Sequence, residues 1–300
     1  MNKKIKWLGI IVASLATVLV VALGIAYALS NSRMSQKFTV TVQAPPLPAT
    51  PTALQEGKRI FLSRGCIDCH GENLAGRVIV DDPLIGRLEG ANLTKGNGGI
   101  GGSFTDEDFV RAIRHGVRPD GSALIFMPST DFQAMSDAEI GPLIAYIRSV
   151  PAVNKPAPKQ VVGPLSRVLF LLGQSPLLVT AELIDHSTKA STVVSGVTVE
   201  YGRHIANYCT GCHGPGFSGG TIPGAPPDWL PAANITPQPA VLGAWSEADF
   251  LKALREGVRP DGSKVRFPMP VENTRLMTDA ELKALWMFLR TVPVKATGGR

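Results

Sequence analysis

One pentapeptide pattern constrains this 300-residue chain more than any other feature: Cys-x-x-Cys-His, at Cys66-Ile-Asp-Cys-His70 and again at Cys209-Thr-Gly-Cys-His213. The two copies use all four cysteines. Two thiols three residues apart sit on one helical turn, where each can add to one vinyl group of a haem. The histidine that follows then reaches the iron from one face. The other uses of paired cysteines fit less well. A four-cysteine zinc site would have to join pairs lying in separate repeat copies. A thioredoxin-like redox pair needs a βαβ setting, which the sequence lacks, and disulfides leave the histidines unexplained. The pattern predicts two covalently bound haem c groups, on Cys66, Cys69 and His70 and on Cys209, Cys212 and His213.

The surroundings of the two motifs repeat as well. Gly116–Ser122 and Gly257–Ser263 are both GVRPDGS. Asn92-Leu-Thr94 matches Asn234-Ile-Thr236, Met127-Pro128 matches Met269-Pro270, and Met135-Ser-Asp-Ala-Glu139 matches Met277-Thr-Asp-Ala-Glu281. A period this long means a duplicated domain rather than a solenoid. Each copy predicts three helices. The first leads into the haem motif (Leu54–Ser63, Val199–Asn207). The second opens on Thr105 or Ser246 and ends at Gly116 or Gly257. The third opens with the capping box Ser136-x-x-Glu139 or Thr278-x-x-Glu281. No convincing strand is found in either copy.

Each copy offers two methionines as a second axial ligand. Met135 and Met277 directly precede a capping box, where an apolar residue packs as a staple. Met127 and Met269 stand in loops and precede proline, which holds the chain extended and lets the thioether approach a haem from its second face. Core filling is the alternative role for this pair. His115, His186 and His204 read as non-ligands, His115 as a helix C-terminal residue favoured by the dipole.

The N-terminus points to a membrane. Lys3, Lys4 and Lys6 precede an uncharged run, Trp7–Leu29, that would rise about 34 Å as a helix, enough to cross a bilayer core. Lysines before the run place the N-terminus in the cytoplasm and the rest outside. Ala26-Tyr27-Ala28 offers a signal-peptide cleavage site, but a secretory apolar region is shorter than this one. The formal charge of +6 belongs mainly to this segment: five of the thirty basic residues and no acid fall within residues 1–44. No basic patch with interleaved aromatics points to nucleic acid. Phe38–Gln43 alternates like a strand. The expected domains are 1–44 (cytoplasmic N-terminus, anchor and juxtamembrane segment), 45–52 (a proline-rich, semi-rigid spacer), 53–151, 152–196 (a connector packing across both lobes) and 197–300.

On these motifs both copies resemble class I cytochromes c. The Asn-Leu/Ile-Thr, GVRPDGS and Met-Pro elements, with Leu183-Ile-Asp-His186 in the connector, are similar to the membrane-bound multihaem cytochrome subunits of bacterial alcohol, aldehyde and gluconate dehydrogenases. That resemblance implies an all-α fold of two tandem domains behind one transmembrane helix, with first and last helices packed together around each haem. It implies axial pairs His70/Met127 and His213/Met269. It also implies a carrier rather than an enzyme, passing electrons from a dehydrogenase to the respiratory chain on the periplasmic side of the cytoplasmic membrane. Those subunits have three haem domains where this chain has two, so other partners, an oxidase or a quinol-oxidising complex, stay open. The rival reading is a di-haem redox enzyme, a peroxidase or thiosulfate-oxidising type. It needs one haem with an open sixth position, and neither copy looks degenerate.

Overall fold

The computed structural model describes residues 3–157 and 159–299. The expected domain limits at residues 1 and 300, and connector residue 158, lie outside them. Helix α1 (Lys3–Met34) is the one helix among the described residues long and apolar enough to cross a membrane, and none of its apolar window is buried against the rest of the protein.

The first repeat is built from α2 (Pro51–Ser63), α3 (Cys66–His70), α4 (Asp106–His115), α5 (Ser129–Phe132) and α6 (Asp137–Ser149). Helices α4 and α6 start where their sequence signals place them, whereas α2 starts at Pro51, ahead of the expected Leu54 and inside the expected spacer. Thr50 accepts from the Ala53 amide, with Pro51 at the first helical position. Thr105 and Asp108 form a reciprocal capping box, and Ser136 and Glu139 form another. Gly116 ends α4 in the left-handed conformation at φ 65°, which favours glycine. Helix α2 crosses α6 at Gly57, where a Cβ would overlap the Pro142 carbonyl. Ile60, Phe61, Phe109, Val110, Ile140, Leu143 and Ile144 fill the core beneath this crossing.

The second repeat follows the same plan with α8 (Val199–Ala206), α9 (Thr210–His213), α10 (Glu247–Glu256), α11 (Val271–Thr274) and α12 (Asp279–Leu289). Ser246 with Asp249 and Thr278 with Glu281 cap α10 and α12. Gly202 lies against the Ala284 carbonyl as Gly57 lies against Pro142, so α8 crosses α12 at the same point. First and last helices pack together in both copies, as the resemblance implied.

Three expectations need correction. The chain is mostly helical but not all-α. Strands β1 (Val78–Asp82) and β2 (Gly86–Glu89) form an antiparallel hairpin, and β3 (Val161–Val162) from the connector adds to it. The hairpin closes on Asp82, whose carboxylate accepts from the Leu84 and Ile85 amides at 2.8 Å each, an Asx turn too short for periodicity to reveal. Phe38–Gln43 is extended but makes no ladder of its own. Its alternation buries Phe38, Val40 and Val42 in a third core with Val117, Ala123, Phe170, Leu178 and Val179. The proline-rich stretch is not a free spacer: Ala44 and Leu47 pack on the first core, and Pro45, Pro46 and Pro48 lie over Gly141 of α6. The connector carries α7 (Pro164–Leu171) and 3₁₀ turns over Pro176–Leu183. It packs on the first repeat and the end of α1, and it meets the second lobe near Gly224 and through Val193, which lies against the second core, so it touches both lobes as expected.

Candidate functional site

The repeated motifs build two equivalent sites. In the first, Gly65 in the left-handed conformation turns the chain into α3, and α3 carries Cys66, Cys69 and His70 on a single turn. The His70 ring nitrogen Nδ1 lies 2.8 Å from the Ala91 carbonyl oxygen, and His213 Nδ1 lies 2.7 Å from that of Ala233. A carbonyl only accepts, so Nδ1 carries the proton and Nε2 keeps its lone pair. This is how an imidazole is oriented for a metal. Burial depresses the His70 pKa, which also favours the neutral ring.

The Asn-Leu/Ile-Thr repeats explain how that carbonyl is held. Asn92 Oδ1 accepts from the Thr94 amide and hydroxyl, and its Nδ2 donates to the Val153 carbonyl at 2.8 Å. Asn234 makes the same bonds to Thr236 and to the Lys295 carbonyl. Each motif pins the loop carrying the histidine's partner to the chain that follows the last helix. The sequence signal was visible in the repeat; its link to the histidine was not. GVRPDGS is a turn in both copies. Asp120 and Asp261 accept from the amides of Ser122 and Ser263, and Leu124 and Val265 then return to bond the carbonyls of Gly116 and Gly257. The methionine loop follows directly.

His213, Cys209, Cys212 and Met269 line one cavity of about 670 Å³, within the usual range for cofactor sites. Its walls include Ile235, Trp245, Phe250, Leu285 and Leu289. Cys66, His70 and Met127 line the first-repeat pocket with the corresponding Leu93, Phe104, Phe109, Leu143 and Ile147. That pocket is tighter, about 70 Å³. Thr180 of the connector donates to the Met127 carbonyl at 2.7 Å, and the Phe126 amide donates to Leu178, holding this loop inwards. Accommodating a macrocycle there requires its walls to part, as the equivalent walls of the second repeat already do. Met135 and Met277 also reach these pockets but are buried in the cores, whereas Met127 and Met269 are only partly buried. Cys69 is not among the residues lining the first pocket, although it shares α3 with Cys66 and His70.

The donor set fits haem better than zinc. Burial pushes the Cys66 and Cys209 thiols up to about 12, and the two cysteine pairs lie in separate repeats, on α3 and at α9. Among the described residues no cluster of three or more His, Cys, Asp or Glu is placed to hold a metal ion.

The two sites meet at a buried polar interface that sequence reasoning missed. Arg64, two residues before Cys66, lies 2.5 Å from Glu281 Oε1 and 3.4 Å from Glu139 Oε1, and its guanidinium covers the Tyr208 ring at 4.3 Å. Arg59 donates to Glu281, and His204 Nε2 donates to Glu139 at 2.7 Å. The two glutamates are the capping residues of α6 and α12, so each cap also receives a cation or histidine from the other repeat's first helix. Burial opposes ionisation of Glu139, but the His204 bond and the Arg64 charge outweigh it and hold its pKa at about 2. Arg64, Gly65 and Asp68 of the first repeat form part of the second cavity's wall. His115 does not merely end α4: its Nδ1 lies 3.2 Å from His186 Nδ1 in the connector.

Residues 54–151 and 199–293 match the family described as cytochrome c. The chain is 28% identical over 289 residues to the fructose dehydrogenase cytochrome subunit of Gluconobacter japonicus, covering 86% of this chain and 57% of that one. It is 29% identical over 287 residues to the cytochrome c subunit of a quinone-dependent alcohol dehydrogenase of Gluconacetobacter polyoxogenes, covering 85% and 58%. A "diheme cytochrome c-type" protein of Cereibacter sphaeroides is 26% identical over 276 residues, covering 79% and 85%. The chain thus spans a little over half the length of the two dehydrogenase subunits.

Proposed function

Because the chain belongs to the cytochrome c family, we propose that it is a di-haem electron carrier, anchored by α1, that takes electrons from a dehydrogenase and delivers them to the respiratory chain. The observation that carries this reading is the duplicated histidine geometry, with Nδ1 of His70 and His213 each oriented by a backbone carbonyl, as for an imidazole that would ligate iron through Nε2. Cys66 and Cys69, and Cys209 and Cys212, would hold the two groups covalently; His70 with Met127 and His213 with Met269 would ligate the irons. A haem so held supplies one-electron chemistry, with the thioether favouring Fe(II) and raising the potential.

The chain's own residues do the rest. The histidines are oriented before the group is bound, and the phenylalanine, tryptophan and leucine walls keep water away. Two protein ligands on each iron would leave no position open for a substrate, and no observation favours the peroxidase or thiosulfate-oxidising alternative. The buried contact of Arg64 with Tyr208 lies beside Cys66 on one side and Cys209 on the other, so the interface keeps the two sites at fixed separation. The names of the dehydrogenase cytochrome subunits support a dehydrogenase as donor. The lysines that open α1 ahead of its apolar run, together with the proposed covalent haem attachment, support periplasmic placement of both lobes. Mass spectrometry of the purified chain tests this directly. The intact protein carries the mass of two haems, and Cys66→Ala/Cys69→Ala carries one; a wild-type chain with a single haem, or none, contradicts the proposal.

A further inference from the structure

The hairpin β1–β2 has no counterpart strands in the second repeat among the described residues, and electron transfer gives it no task. It is fastened to α7, which stands beside the end of α1. Arg167 of α7 lies over the Tyr27 ring at 4.1 Å and donates to Ser30 Oγ at 2.9 Å; further along, Arg33 lies over Phe170 at 4.1 Å. These pairs advance in the same sense on both helices, so α7 runs alongside α1 with its first turn towards Tyr27. That tyrosine closes the apolar run, where an aromatic ring meets the headgroup level. The hairpin turn is fastened to this same end of α7: the Leu165 amide donates to the Leu84 carbonyl at 3.0 Å, and Ser166 Oγ donates to that of Ile85 at 2.8 Å. Around it the large apolar side chains face outwards, Leu84 59%, Val161 54% and Leu165 40% exposed.

We propose that the hairpin turn at Leu84 and the first turn of α7 form a second, peripheral contact with the outer leaflet, seating Leu84 and Leu165 in the headgroup–acyl boundary beside α1. This rests on the reading of α1 as a membrane anchor. The occupant is the bilayer itself, because the patch continues the surface of the helix that enters it. Its charges nearly balance, Asp81 pairing with Arg87 while Asp82 caps the turn and Arg167 donates to the Val162 carbonyl of β3, so a zwitterionic surface suffices. Helix α1 alone would leave the lobes free to swing; two contacts fix their tilt relative to the membrane.

The test uses the full haem-loaded chain in phosphatidylcholine vesicles containing a phospholipid with a photoreactive diazirine near the glycerol. Labelling at Leu84 and Leu165 is expected to exceed that at the exposed Val197 and Phe267 by about tenfold, as for groups held at the interface. Leu84→Asp/Leu165→Asp should lose this labelling while Tyr27 keeps its own. In oriented multilayers, the orientation dependence of the haem electron paramagnetic resonance signals should be sharp for wild type and blurred for the variant. Labelling at Tyr27 without labelling at Leu84 and Leu165, or equal orientation in both proteins, overturns the second contact alone. Absence of label at Tyr27, with release of the chain by alkaline carbonate, overturns the anchor and the contact together.

Discussion

At the scale of single residues, the proposed ligands make the sharpest commitments. Replacing Met127 or Met269 with alanine removes the thioether that favours Fe(II), so one of the two reduction potentials should fall while the other stays in place. Redox titration of each variant reads this; a matching fall in Met135→Ala and none in Met127→Ala would reverse the assignment. The His115–His186 contact predicts acid sensitivity. Burial first, then the neighbouring His186, Arg114 and Arg111 charges, lower the His115 pKa to about 4. Its folded-state pKa is depressed, so its contribution to stability is fully present above 6.5 and is lost as the pH falls towards 4. Thermal midpoints should drop across that window in wild type and drop less in His115→Leu. The residue chemistry was largely legible beforehand, because Cys-x-x-Cys-His states its own geometry. The histidine partners were not, since the Ala91 and Ala233 carbonyls are backbone groups that no side-chain pattern marks.

At the scale of elements, the capped helices were readable because their signals are local: Thr105 with Asp108, Ser246 with Asp249, and the terminal glycines Gly116 and Gly257. The hairpin escaped because only a few residues alternate on either side of Asp82, and its third strand, Val161–Val162, comes from far along the chain. The extended Phe38–Gln43 segment shows the converse: alternation reported one buried face, and that face meets side chains rather than a neighbouring strand. The two helix crossings give a matched prediction. Gly57→Ala and Gly202→Ala each place a methyl group into a carbonyl of the partner helix, so each should cost about 1–3 kcal/mol or more by overpacking. Calorimetric unfolding of both variants checks it. Alanine raises intrinsic helix propensity, so a gain in midpoint would show that the crossings are not tight.

At the scale of the whole molecule, the chain is two copies of one domain joined by a buried charge cluster. Arg64 and Glu281 have side chains only 1% exposed, so Glu281→Ala leaves a buried guanidinium short of its closest partner, at a cost of about 3–5 kcal/mol. The loss should split a single unfolding transition into two, one per lobe, in calorimetry; one unsplit transition with an unchanged midpoint would remove the cluster from any part in docking the lobes. Glu139 adds a pH signature of the same sign as that of His115, in a more acidic window. Its pKa is held below the usual 4.5 at about 2, so its contribution is present above 4.5 and disappears as the pH falls through 2. None of this interface could be read from the sequence, because each partner is already explained locally as a helix cap or a helix-face cation, and only the docking of the lobes brings them together.

The central claim is that both repeats hold a haem between a histidine and a methionine. The most direct measurement is the near-infrared Met-to-Fe(III) charge-transfer band of the oxidised full chain, its intensity quantified per haem. Two methionine-ligated haems per chain are expected, with half the intensity lost in Met127→Ala and half in Met269→Ala; intensity for one haem only, or none, would contradict the account.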